Sequence, residues 1–152
     1  MSIANAISRT LTDRSGAAGV EFALMLPALV LFAVGTVDVG ALAYQSAEVE
    51  AAAQAGARYA MNNGAGSLDS IAAAITGATS LSVSATPYPS QGYYCDAGGS
   101  LSSVPAMTSA CSGGVVGSYV TVSAQATYTP VIAWSGLSMP SSLSSQTMVR
   151  VQ

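Results

Sequence analysis

The sequence predicts an α+β protein, with a long N-terminal helix ahead of a short helix and a small antiparallel β-sheet. Three observations carry this. The uncharged apolar run Phe22–Val37 passes into alanine-rich sequence that reaches Asn62-Asn63-Gly64. Beyond that point the apolar pattern changes from helical to alternating, most clearly at Val120, Val122, Ala124, Ala126 and Tyr128. Glycine and proline then cut the remainder into short pieces, as an antiparallel sheet requires.

The first helix is expected over about Ala18–Met61, ~65 Å at 1.5 Å per residue. Its apolar part, Phe22–Val37, is ~24 Å long. The turn through Ala43 brings it to the ~30 Å of a hydrocarbon core. Asp38 then falls near the outer interface, and Tyr44 acts as an interfacial aromatic. Arg9 and Arg14 precede the segment, and the next basic residue is Arg58. The positive-inside rule therefore keeps the N-terminus cytoplasmic and exports the C-terminal part. Pro27 removes one helical hydrogen bond, so a kink or joint is expected there. Past the membrane, Ala47, Ala51 and Ala55 recur every four residues and form one stripe. Small residues on a stripe let helix backbones approach closely; alanine-rich sequence also favours helix by itself. Asn62-Asn63-Gly64 suits a left-handed C-terminal cap.

The second helix is expected at Ser67–Thr76, with Ser67 as N-cap and Gly77 as its end. Leu81, Val83 and Ala85 alternate with polar residues and predict a half-buried strand ending at Pro87. Tyr88–Val116 reads as a loop rich in Gly, Ser and Pro. The strand through Val120–Tyr128 ends at Pro130. A connection carrying the sole tryptophan, Trp134, comes next, and the Ser/Thr-rich tract Ser138–Thr147 is either ordered structure or a mobile loop. Met148, Arg150 and Gln152 alternate with Thr147, Val149 and Val151 in a last strand.

Composition narrows the function. Of the 152 residues, 7% are charged and 51% hydrophobic, whereas an ordinary soluble domain has about 25% charged residues. The net charge is −3, and no basic patch offers counterion release, so no nucleic-acid partner is expected. There is no histidine and no lysine. No Gly-x-Ser-x-Gly elbow or phosphate-binding loop is present, and the seven acids are dispersed. An enzyme, a cofactor and a metal site are therefore not expected. Cys95 and Cys111 lack the spacing and companions of a zinc site. In an exported domain the pair can bridge, closing a loop of about 17 residues worth ~3 kcal/mol. Two free thiols in a cytosolic loop are the alternative.

The most informative stretch is Arg14-Ser15-Gly16-Ala17-Ala18-Gly19-Val20-Glu21-Phe22-Ala23-Leu24-Met25-Leu26-Pro27. A polar leader ends in Gly16, and Glu21 interrupts the apolar run five residues later. A carboxylate at the mouth of a membrane segment is costly and marks function by default. Glycine closing a leader, with glutamate five residues on, resembles the processing site of type IV prepilins. The run Glu21–Pro27 narrows the resemblance to the TadE-type pseudopilins of tight-adherence (Tad, or Flp) pilus systems. It covers about residues 14–60.

The resemblance implies a pilin-like fold and three regions. These are a prepilin-type leader at 1–16, a long helix at 17–63 with its membrane anchor at about 22–44, and an exported sheet domain at 64–152. It implies cleavage between Gly16 and Ala17 by a prepilin peptidase. Loss of Arg9, Asp13 and Arg14 would leave a mature chain of net charge −4. Glu21, Phe22 and Pro27 would act in assembly, with Glu21 meeting the new N-terminal amine of a neighbour. The implied partners are the peptidase, other Tad pilins and pseudopilins, the inner-membrane assembly platform and the lipid bilayer. The implied location is the bacterial inner membrane, crossed once. The Tad major pilin has a Glu-Tyr pair and a very short mature chain. Glu21-Phe22 and a sizeable exported domain point instead to a minor pilin. A competing reading makes Phe22–Val37 the core of a signal peptide cut after Ala43, within Ala41-Leu42-Ala43, which would release a secreted binding protein.

Overall fold

The computed structural model describes residues 15–132 and 139–151. Its elements are α1 (Ser15–Asn63), α2 (Leu68–Thr76), β1 (Ser90–Ala97), β2 (Ser100–Val104), β3 (Val115–Thr127) and β4 (Ser142–Arg150). This is the expected α+β fold, with a long apolar helix, a short helix and a four-stranded antiparallel sheet in the order β2-β1-β3-β4. The leader residues 1–14 and Trp134 lie outside the described residues. The chain divides into two compact units, one through Gly40 and one from Ala41 to Gln152.

In the first unit α1 stays helical through Pro27. From Ser15 to Gly40 it is ~39 Å long, enough to cross a hydrocarbon core. Its apolar side chains are exposed all round: Leu24 is 75% and Phe32 77% accessible. Thr36 hides its hydroxyl by donating to the Phe32 carbonyl at 2.8 Å, which lowers the cost of a polar group in lipid.

In the second unit the rest of α1 is amphipathic. Val49, Ala52, Ala53, Ala57 and Ala60 are buried, at the i, i+3, i+4 spacing of one helix face. Of these, Val49, Ala52, Ala53 and Ala60 pack with Ile71 and Ile75 of α2 and Val120, Val122, Ala124 and Ala126 of β3. The expected stripe lies elsewhere on the helix: Ala47 and Ala51 are exposed and Ala55 is half-buried, so the sheet does not use it. Gly56 sits between the three elements. A Cβ there would lie 2.5 Å from Cγ1 of Ile75 and 2.9 Å from Cγ1 of Val122.

The caps agree with the sequence. Gly64, with φ +71°, ends α1 in the left-handed region. The Ser67 hydroxyl accepts from the Ser70 amide at 3.3 Å and caps α2. The Gly77 amide donates to the Ala73 carbonyl at 2.9 Å and closes it. Two side-chain bonds tie the helices to the segment between α2 and β1. Thr79 donates to Glu48, and the Tyr88 hydroxyl donates to Asp69. The bond to Asp69, then desolvation, then the carboxylate's charge hold the Tyr88 phenol above its ordinary pKa of about 10. The folded state favours the protonated phenol. Its contribution is therefore full below that ordinary value and fades as pH rises through the raised one.

The sheet corrects two expectations and decides one alternative. Residues 81–86 are not a strand. Leu81, Val83 and Ala85 do turn inward, but only Ser84 pairs, exchanging two 2.8 Å bonds with Gln125. Ser90 next pairs with Thr121. The chain therefore uses six residues where β3 uses four, and Pro87 and Pro89 occupy the bulge and cannot donate to a ladder. Second, Tyr88–Val116 is not one loop: it holds the β1–β2 hairpin. Gly98 (φ +66°) and Gly99 (φ +94°) make its two-residue turn, which needs positive φ at both positions. Of the two readings of the Ser/Thr-rich tract, Ser142–Thr147 is the ordered one: it forms most of β4, paired with β3 from Ser142↔Thr127 to Arg150↔Tyr119.

Gly56→Leu should destabilise the second unit by about 1–3 kcal/mol, because Ile75 and Val122 already fill the space. Hydrogen exchange of the Val120–Ala126 amides should show it as lost protection, with the Ser15–Gly40 amides unchanged.

Candidate functional site

Two regions contain the residues singled out by the sequence: the start of α1 and the disulfide loop. Each lies within one unit.

The first helical turns contain Gly16 and Ala17, because α1 starts at Ser15. The Gly16–Ala17 bond is therefore helical, and a protease that reads extended backbone would have to unwind this end. Nothing lies within 4 Å of a Cβ placed at Gly16, so its lack of a side chain is not required by packing. Glu21 is exposed, one turn further on, and among the described residues nothing pairs with it. Phe22 is exposed beside it, and Pro27 is exposed within the helix. The arrangement is a lone carboxylate at the head of an apolar surface that wraps the whole helix. A helix apolar all round is stable only when something apolar surrounds it, and the span from Gly16 is long and apolar enough to cross a membrane.

Asp38 departs from its expected interfacial exposure. It is 1% exposed, while Val37 and Val39 on either side are 60% and 62% exposed. It is engaged in an interaction within the chain. An aspartate among valines gives no sequence signal of such burial.

Residues 16–58 match the family model described as TadE-like protein. The chain carries a TadE-like segment. The match begins at Gly16, takes in Glu21, Phe22 and Pro27, and stops at Arg58 within α1, so it includes none of the sheet. No curated protein and no solved structure matches the chain.

The second region is the loop closed by the Cys95–Cys111 disulfide, whose Cα atoms are 5.6 Å apart. Cys95 is a buried residue of β1, and Cys111 precedes the turn into β3. Tyr93 and Tyr94 precede Cys95 on the strand, and Tyr94 meets Tyr119 of β3 edge-on at 5.6 Å. Gly114 belongs to the same structure, since a Cβ there would lie 1.9 Å from the Asp96 carbonyl oxygen. Only glycine lets the returning chain press so closely on β1. The loop reads as a staple. Among the described residues no group of three or more His, Cys, Asp or Glu is placed to hold a metal. An open concavity of about 250 Å³ is lined by Gly64, Ala65, Gly66, Gln91, Ser118 and Val151. Its polar side chains satisfy each other, Gln91 Nε2 donating to Ser118 Oγ at 2.8 Å.

Replacing both Cys95 and Cys111 with serine should cost the second unit ~3 kcal/mol, the closure entropy of a loop of this size. Denaturant unfolding read on the Val120–Ala126 amides should report the loss, with α1 from Ser15 to Gly40 unaffected.

Proposed function

We propose that this chain is a membrane-anchored minor pilin, or pseudopilin, that acts in assembling a Tad-type adhesive pilus after a prepilin peptidase cuts between Gly16 and Ala17. One observation carries the reading. Gly16 and Glu21 stand five residues apart at the head of an all-round apolar helix, inside the TadE-like match. Cleavage would give Ala17 a positive amine. Glu21, exposed and unpaired among the described residues, is a carboxylate in an apolar setting that gains most from such a charge. The amine of its own chain starts one helical turn away; the amine of a neighbour would pair with Glu21 and set the register between subunits. Other Tad pilins and pseudopilins, the peptidase and the inner-membrane platform are the partners. The N-terminus is cytoplasmic and the sheet unit exported, where oxidising conditions keep the Cys95–Cys111 bridge. The chain's part in this scheme is structural and not catalytic.

The signal-peptide reading keeps one supporting observation. The compact second unit begins at Ala41 and its α1 core starts at Val49, so cleavage after Ala43 would leave that core whole. The mature N-terminus separates the two readings. Mass spectrometry of the protein should find a chain beginning at Ala17. A chain beginning at Tyr44 would establish the secreted form.

Glu21→Ala should leave processing and the sheet unit intact and reduce incorporation into the pilus. A buried pair broken on one side costs roughly 3–5 kcal/mol, and hydration at the membrane boundary would lessen that. Wild-type piliation with the processed variant present would reduce Glu21 to a marker of the membrane boundary.

A further inference from the structure

We propose that the end of α1 modifies itself. The Gly64 amide nitrogen attacks the side-chain carbonyl carbon of Asn63, ammonia leaves, and water opens the resulting succinimide to aspartate or isoaspartate. Only residues of the second unit take part, and the reaction is independent of the role given to the first.

The sequence supplies the reactive pair. Asparagine is among the thermally labile residues of proteins. Its lability depends on the residue that follows, because the attacking nitrogen belongs to that residue and a side chain there obstructs the approach. The chain has asparagine at 5, 62 and 63, and only Asn63 is followed by glycine.

The fold leaves the pair room to react. Asn63 is the last residue of α1 and is exposed. Nothing lies within 4 Å of a Cβ placed at Gly64, whose φ is +71°, so no neighbour crowds that position. Backbone at a helix end is held on one side only, since the last carbonyls lack intrahelical partners. Asn62 is exposed as well. The amide it would use belongs to Asn63, which is helical and carries a side chain. Asn62 is therefore an internal control.

One contact opposes the attack. Asn63 Nδ2 donates to the Tyr59 carbonyl at 3.0 Å, which holds the carboxamide back along the helix. That bond must break first. At the usual net strength of a hydrogen bond the delay is roughly fivefold, which slows the reaction without preventing it.

The chemistry needs no partner but water. A bond forms between Gly64 N and Asn63 Cγ as the Cγ–Nδ2 bond breaks. The amide proton of Gly64 passes to solvent, and the nitrogen leaves as ammonia after taking up a proton. Nothing is oxidised or reduced. Hydrolysis of the new bond gives aspartate. Hydrolysis of the bond from the same nitrogen to the Asn63 main-chain carbonyl carbon gives isoaspartate, with the chain rerouted through Cγ. Either product replaces the donor to Tyr59 with a carboxylate at the negative end of the helix dipole. Isoaspartate also lengthens the main chain ahead of α2, whose Ile71 and Ile75 are fully buried. The α1–α2 turn thus ages irreversibly once the protein is made.

The test incubates the folded full-length protein at mildly alkaline pH, beside a sample in denaturant. Residues 62 and 63 are followed by peptide mapping that separates aspartate from isoaspartate. Asn63 should convert in the folded protein within about tenfold of its rate in denaturant, to a mixture of both products, while Asn62 stays intact. Asn63→Gln, whose longer side chain would have to close a larger ring, should abolish the change at that position with the Val120–Ala126 amides still protected. Slower conversion than this in the folded protein, or conversion no faster than at Asn62, would overturn the proposal. So would aspartate without isoaspartate, which marks direct hydrolysis of the side-chain amide by water.

Discussion

The second unit depends on how closely α1 approaches the sheet at Gly56. No side chain fits between that backbone and the tips of Ile75 and Val122. The neighbours on the buried face are small as well: Ala52, Ala53, Ala57 and Ala60. Small residues bring three elements into contact, but each removes little apolar surface from water, and burial stabilises in proportion to area, at roughly 25 cal/mol per Å². Apart from Val49, the largest fully buried apolar side chains come from the other side, Ile71 and Ile75 of α2 and Val120 and Val122 of β3. The Cys95–Cys111 disulfide lies beyond these residues, where Cys95 of β1 pairs with Val116 near the start of β3. Gly114 lets the chain close tightly on Asp96 there.

The helix α1 changes character along its length. Up to Gly40 it is mostly apolar and exposed, with Asp38 the buried exception. From Val49 it is apolar on one face only, and alanine serves where leucine served before. The change is gradual because alanine is tolerated in lipid, in water and in a core. Charge marks the ends: Glu21 stands at the first turns of the apolar part, and Glu48 and Glu50 enter where the sheet begins to pack.

The same physics decides how much of the fold was legible in the sequence. The long helix, its Gly64 end, the Ser67 cap and the central strand were legible, because each has a strong local signature: length, positive φ, a hydroxyl at the N-cap, a period of two. The buried face of α1 was not. With alanine on both sides, periodicity has no contrast, and the stripe Ala47-Ala51-Ala55 looks as regular as the one the core uses. The β1–β2 hairpin was obscured by its composition, since serine and glycine read as loop, although Gly98-Gly99 between extended stretches is a hairpin turn signal. The start of β4 was hidden in the same way by Ser141-Ser142-Leu143-Ser144-Ser145. Residues 81–86 failed in the opposite direction. Their alternation gave the right burial, but a strand also needs a partner over several residues, and β3 offered one pair before the proline bulge. At the candidate site, the Gly16–Glu21 spacing was plain, while the burial of Asp38 depends on contacts no local pattern encodes.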